Sequence, residues 1–211
     1  MAKVVGFTFN PFQENTYLVV DETKECIIFD PGCITAAEKQ ELATYISSND
    51  LKPVRLINTH CRLDHIFGNK FVSETYGLPL EIHRGELPVL ERAPQSAAMY
   101  GVPMEPSPAP GRFIEVGEII DCGDTKLKTL FTPGHSPASL SFYCEKDGFL
   151  IAGDVLFHMS IGRTDLPGAH HETLIKSIKE ELMVLSSETK VYPGHMQSTT
   201  IGFEKQHNPF L

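Results

Sequence analysis

The segment 56-LINTHCRLDHIFGN-69 decides how the rest of the chain reads. An apolar run opens into His60, Cys61, Arg62, Leu63, Asp64 and His65, so three potential metal ligands fall within six positions with an arginine among them. Imidazole and carboxylate groups on the loop after a buried strand suit a site held by a rigid scaffold. Arg62 does not suit it as a ligand, because guanidinium stays protonated and offers donors only.

Working outward, apolar runs of strand length recur at Val4 to Phe9, Tyr17 to Val20, Cys26 to Phe29 and Val54 to Ile57. Others follow at Lys126 to Phe131, Ser139 to Tyr143 and Phe149 to Ala152. Turn residues separate most of them, as sheets require. Helices are expected from Thr35 to about Ser47, opened by the capping box Thr35/Glu38, and from His171 to about Leu185, with Leu174, Ile178, Leu182 and Leu185 on one face. The proline-rich piece 102-VPMEPSPAPGR-112 reads as a surface loop, and no linker interrupts what is expected to be a single domain over 1–211.

A faint internal repeat organises these elements. In the first half 27-IIFDPG-32 is followed by a helix and then 56-LINTH-60; in the second, 149-FLIAGD-154 is followed by a helix and then 191-VYPGH-195. Buried strands whose carboxyl ends carry Asp or His deliver those side chains to one rim, where such sheets place their sites. His135 in 131-FTPGHSPASL-140 stands in a comparable position. Any one of these histidines alone reads as an ordinary surface residue. His60, Asp64, His65, His135, Asp154 and His195 together read as a metal set. With no paired thiolates, that set favours zinc, iron or manganese over a structural cysteine site.

Bulk composition excludes other classes. The 211 residues are 41% hydrophobic and 21% charged, ordinary for a soluble globular chain able to build one large core. A formal charge of −9 without a Lys/Arg cluster argues against a nucleic-acid partner. There is no basic start with an apolar stretch behind it and no run of membrane-spanning length, so an unprocessed, non-membrane chain is expected. Five scattered cysteines with no CxxC pair suggest neither disulfides nor a zinc ribbon and fit a reducing cytoplasm. Cys61 is expected to be a small buried thiol.

The succession TH-C-R-L-DH, PGHSP, GD and PGH resembles the metallo-β-lactamase superfamily. The stretches 161-IGRTDLPG-168 and 199-TTIGFEKQHNPFL-211 look like its glyoxalase II (hydroxyacylglutathione hydrolase) branch in short form. The resemblance implies an α/β four-layer αβ/βα sandwich with metal at the sheet rims. It assigns His60 and His135 to a first site whose remaining position is filled by Arg62. Asp64, His65 and His195 form a second site, Asp154 bridges, and Asp30 orients ligands from behind. The implied activity is hydrolysis of a small-molecule thioester or ester by metal-bound hydroxide, with one or two zinc ions, or iron in their place, and with Asp64 orienting the nucleophile. The helical domain with which full-length glyoxalase II proteins help bind glutathione is not found before 208-NPFL-211, so the carrier is left open, as is the oligomeric state. His195-Met196-Gln197 stands where the short relatives typically read HGP.

Arg62 admits four readings. One metal in the second site leaves Arg62 to pair with Asp154 or a substrate anion and to stabilise the oxyanion. Alternatively, Arg62 swings outward and both metals bind, the first more weakly. A third reading keeps His60, His135 and Asp154 as the two-His-one-carboxylate triad of an iron sulfur (persulfide) dioxygenase. In the fourth, the charge leaves a metal-poor binding protein. The first two are hydrolases, and the expectation is a metallo-hydrolase with a weakened first site.

Overall fold

The computed structural model describes residues 1–211 and divides into two compact units, Met1–Ile114 with Asp121–Thr125, and Glu115–Ile120 with Lys126–Leu211. No helix is long and apolar enough to cross a membrane.

Unit 1 runs β1 (Lys3–Phe9), β2 (Glu14–Val20), β3 (Glu25–Phe29), α1 (Ala36–Ser48), β4 (Lys52–Ile57), α2 (Asn69–Tyr76), β5 (Leu80–Ile82), α3 (Leu87–Tyr100) and β6 (Pro110–Phe113). The strands form one sheet in sequence order; β1, β2 and β3 are antiparallel neighbours, and β3 to β6 are parallel. Ile27, Ile28 and Phe29 are all buried, which is why β3 reads as a continuous apolar run rather than an alternating one. Leu42 and Ile46 of α1, Val72 of α2 and Leu90 and Ala93 of α3 pack with Leu18, Ile28, Leu56, Leu80 and Ile82. The expected capping box is present: Glu38 N–H donates to Thr35 Oγ1, and Thr35 N–H donates to Glu38 Oε2.

The second sheet contains β7 (Ile119–Cys122), β8 (Thr125–Phe131), β9 (Leu140–Cys144), β10 (Phe149–Gly153), β13 (Lys190–Pro193) and β14 (Thr199–Thr200), in the order β14-β13-β10-β9-β8-β7. A small hairpin of β11 (Leu156–Phe157) and β12 (Ser160–Ile161) follows β10, and α4 (His171–Ser177) and α5 (Ile201–His207) complete unit 2. Leu174 of α4 and Ile201 of α5 close the unit's core over Leu130, Leu150, Ala152 and Val191. The repeat seen in the sequence is real at this level: β3-α1-β4 and β10-α4-β13 are both parallel strand pairs bridged through a helix.

Two expectations are corrected. The 102–112 segment is not loop throughout, because Pro110–Phe113 pairs with β5 as an edge strand; Pro110 is tolerated at its first position, where no ladder donor is needed. The helix expected to Leu185 stops being α-helical after Ser177 and widens into a π turn over Ile178–Leu182, closed by Met183 N–H donating to Ile178 O at 2.8 Å. The apolar face survives the change, with Leu174, Ile178 and Leu182 fully buried.

The β2–β3 turn supplies a pH-dependent contribution. Burial pushes the Asp21 carboxyl up, but hydrogen bonds from Thr125, Thr23 and Asp124 outweigh it and hold the group well below its ordinary value of 3.8. A depressed folded-state pKa stabilises the fold above the unfolded pKa and is lost as pH falls through the folded one. Unfolding midpoints of Asp21→Asn and the parent chain are therefore expected to differ most above about pH 4 and to converge in stronger acid. A constant difference down to the most acidic conditions that permit folding would contradict this.

Candidate metal centre

In unit 1, the parallel neighbours β3 and β4 end side by side, so Asp30 after Phe29 and the 58–65 segment after Ile57 emerge at one rim. Asp30 sits there with a left-handed φ of 47°, a conformation Asp tolerates better than most residues, and is 2% exposed. Its Oδ1 accepts from Thr59 N–H at 2.7 Å and its Oδ2 from Thr59 Oγ1 at 2.6 Å and from His65 Nδ1 at 3.1 Å. Since Thr59 Oγ1 spends its proton on Asp30, its oxygen accepts from His60 Nδ1–H at 3.1 Å. These partners assign both histidines the tautomer with the proton on Nδ1, leaving the Nε2 lone pair for a metal. Asp30, His60 and His65 form one group able to hold an ion, their donor atoms within 4.8 Å of one another. The His65 Nε2 lies 3.6 Å from Asp64 Oδ2.

The ligand segment is not extended. Arg62 is half-buried and precedes a 3-10 turn, Leu63–His65, whose His65 N–H donates to Arg62 O. Cys61 is fully buried in the core, where burial holds its thiol well above the ordinary range, in keeping with a packing role. All five cysteines are free and buried.

In unit 2, β10 and β13 run parallel, placing Asp154 after Gly153 and His195 after Pro193 at a common edge. Asp154 Oδ2 stands 3.4 Å from His135 Nε2 and 3.5 Å from His195 Nε2. The Arg163 carbonyl can only accept, so the 2.9 Å contact with His135 Nδ1 makes that nitrogen the protonated one and turns the Nε2 lone pair towards Asp154. Close packing fixes the arrangement: a side chain at Gly162 would collide with the Asp154 carbonyl oxygen and press on His135 Cβ. Arg163 and Asp165 form a bidentate pair at 2.7 and 2.6 Å, while Thr164 Oγ1 lies against His171 Nδ1. His170 caps α4 by accepting from Thr173 N–H.

Of the candidate ligands, unit 1 thus carries His60, Asp64 and His65, and unit 2 carries His135, Asp154 and His195. The donor set is imidazole and carboxylate with lone pairs pre-aimed, which fits a divalent ion of the zinc, iron or manganese type. Arg62 remains unfit as a ligand.

Several supporting residues escaped the sequence reading. Glu14 is fully buried beside His65; burial pushes its carboxyl well up, His65 partly offsets this, and Asp30 and Asp64 add to it. The signal was available in 14-ENT-16, where a strand's period of two puts Glu14 and Thr16 on one face. In unit 2 the buried Glu204 accepts from Met159 N–H, Thr199 Oγ1 and Asn208 Nδ2, and Asn208 also donates to Ser160 O, so the C-terminal segment secures the hairpin following Asp154. Met196, next to His195, takes a left-handed φ of 67° and is exposed.

Known proteins share this architecture. The chain is 35% identical over 202 residues to hydroxyacylglutathione hydrolase GloC of Haemophilus influenzae, covering 95% of this chain and 93% of the relative. The crystal structure of BLEG-1 B3 metallo-beta-lactamase superposes with a TM-score of 0.91 at 35% identity, covering 99% of both chains. That of TTHA1623 in a di-iron-bound form gives 0.89 at 36%, covering 98% of this chain and all of the other. The metallo-beta-lactamase superfamily domain matches residues 9–195, nearly the whole of both units, and the chain belongs to that superfamily.

Proposed function

We propose that the chain is a metallo-hydrolase that cleaves a thioester or ester. The observation that most supports this is the tautomer assignment: Thr59, Asp30 and the Arg163 carbonyl hold the Nδ1 atoms of His60, His65 and His135, so all three present Nε2 before any ion arrives. His60, Asp64 and His65 of unit 1 and His135, Asp154 and His195 of unit 2 would serve as the ligands of one or two ions. A divalent ion so bound lowers the pKa of water towards about 7 and polarises an acyl carbonyl. Asp64, half-buried against His65, orients the attacking water and accepts its proton. Arg62 supplies donors to the oxyanion in place of the missing imidazole.

Similarity to GloC supports a hydroxyacyl thioester as the substrate class, and similarity to BLEG-1 makes a β-lactam the comparison to run beside it. Zinc is the metal of this reading; the di-iron form of TTHA1623 makes iron the second candidate. The test is metal analysis of the purified protein with parallel assays on a hydroxyacylglutathione and a chromogenic cephalosporin. Thioester hydrolysis that is lost with chelator and restored by metal is expected; cephalosporin turnover without thioester turnover would reverse the assignment. Arg62→His is expected to raise metal content from about one towards two per chain and thioesterase kcat/KM by about tenfold. Unchanged metal content and rate in that variant would sink the role given to Arg62.

A further inference from the structure

The turn joining β1 to β2, 10-NPFQ-13, is shaped to hold one aromatic ring against the ligand loop. Asn10 and Gln13 both take left-handed φ values, 54° and 57°. The Asn10 side chain accepts from Phe12 N–H at 3.0 Å and donates to the carbonyls of Gly32 and Asp64, each at 3.0 Å. One side chain therefore ties Phe12 to the backbone of a proposed metal ligand. Phe12 stacks on Phe67 at 6.4 Å and meets Tyr100 edge-on at 5.7 Å. Leu63, lying between Arg62 and Asp64, packs with Phe67 and Ala97 in the same cluster.

Within this cluster Phe67 and Leu63 are buried and Phe12 is half-buried, while Tyr100 opens to solvent. Tyr100 is 54% exposed and Met99 87%; apart from Met1 they are the exposed large apolar side chains of unit 1. Gln13, Gln95 and Glu105 nearby in the chain are exposed polar residues. A stable protein interface occupies roughly 800 Å² per partner and some 20 or more residues, whereas this surface offers a few side chains. That scale matches the arm of a small molecule, and continuity with the 60–65 loop places the arm next to the chemistry.

We infer that Phe12 and Tyr100, backed by the buried Phe67, form a specificity shelf for the apolar acyl chain of the thioester substrate. The inference rests on the thioesterase reading for its substrate, and its test separates the two. Non-hydrolysable S-alkylglutathiones of increasing chain length are titrated calorimetrically into the metal-loaded protein, and kcat/KM is measured for acyl thioesters of matching length. Each added methylene is expected to tighten binding by about three- to fourfold until the shelf is covered. Tyr100→Ser and Phe12→Ser are expected to flatten that dependence with metal content unchanged. Tight binding that does not vary with chain length, or a slope untouched in both variants, overturns the shelf. A slope in binding without thioester turnover upholds the shelf and removes the thioesterase reading; turnover without a slope does the reverse. If sedimentation shows a dimer that Tyr100→Ser dissociates, the surface is a subunit contact and the shelf is overturned.

Discussion

Asp30→Ala is expected to destabilise the fold by about 3–5 kcal/mol and to weaken metal binding by about ten- to a hundredfold. The carboxylate is 2% exposed and receives the Thr59 amide, the Thr59 hydroxyl and His65 Nδ1. Removing it leaves buried donors unpaired, at about 1–3 kcal/mol each. The Thr59 hydroxyl can turn elsewhere, but the amide and the imidazole cannot. Loss of a ligand's supporting hydrogen bond costs metal affinity in the stated range, and here one residue supports His65 directly and His60 through Thr59. Urea midpoints and a competition titration with a chromogenic chelator check the two effects. Wild-type values on both would remove Asp30 from the role given to it.

Gly134→Ala is the second large effect. Gly134 has φ 132°, a region that disfavours any side chain, and an added Cβ would strike the backbone of Leu174 inside the first turn of α4. Leu174 is fully buried, so the helix cannot yield without opening the core of unit 2. Backbone strain of about 1–3 kcal/mol and overpacking of about 1–3 kcal/mol act together. A fall in Tm of roughly 6–12 °C is expected for a loss of about 3 kcal/mol in a chain of this size. His135 is the next residue, so metal content should fall as well. A variant with unchanged Tm and full metal content would show that α4 adapts.

The placement of the six proposed ligands was legible in the sequence because each stands where an apolar run ends, and parallel strands carry such ends to a common edge. His60 and Asp30 after neighbouring strands, and Asp154 and His195 after another pair, follow from that rule alone. The helices α2 and α3 were not legible: Pro88 and Pro94 mask α3, although proline suits a first turn and Pro94 is accommodated inside the helix. Glu14 and Glu204 were missed because carboxylates are ordinarily exposed, and one donor to Glu204, the Met159 amide, comes from a distant position in the chain. The role of the Arg163 carbonyl was hidden for another reason, since a main-chain acceptor carries no residue-type signature.

The Glu204 hub has a consequence during synthesis. The turn at Met159 and Ser160, just beyond Asp154, is held by acceptors and donors from Glu204 and Asn208, some 45 residues later in the chain. While the ribosome tunnel still encloses Glu204 and Asn208, the Asp154 edge lacks its fastener, whereas Asp30, Thr59, His60 and His65 have already emerged and can join. The nascent protein should thus acquire the two halves of its ligand set in sequence, and a stalled chain released short of Asn208 would carry the first half without a secured second.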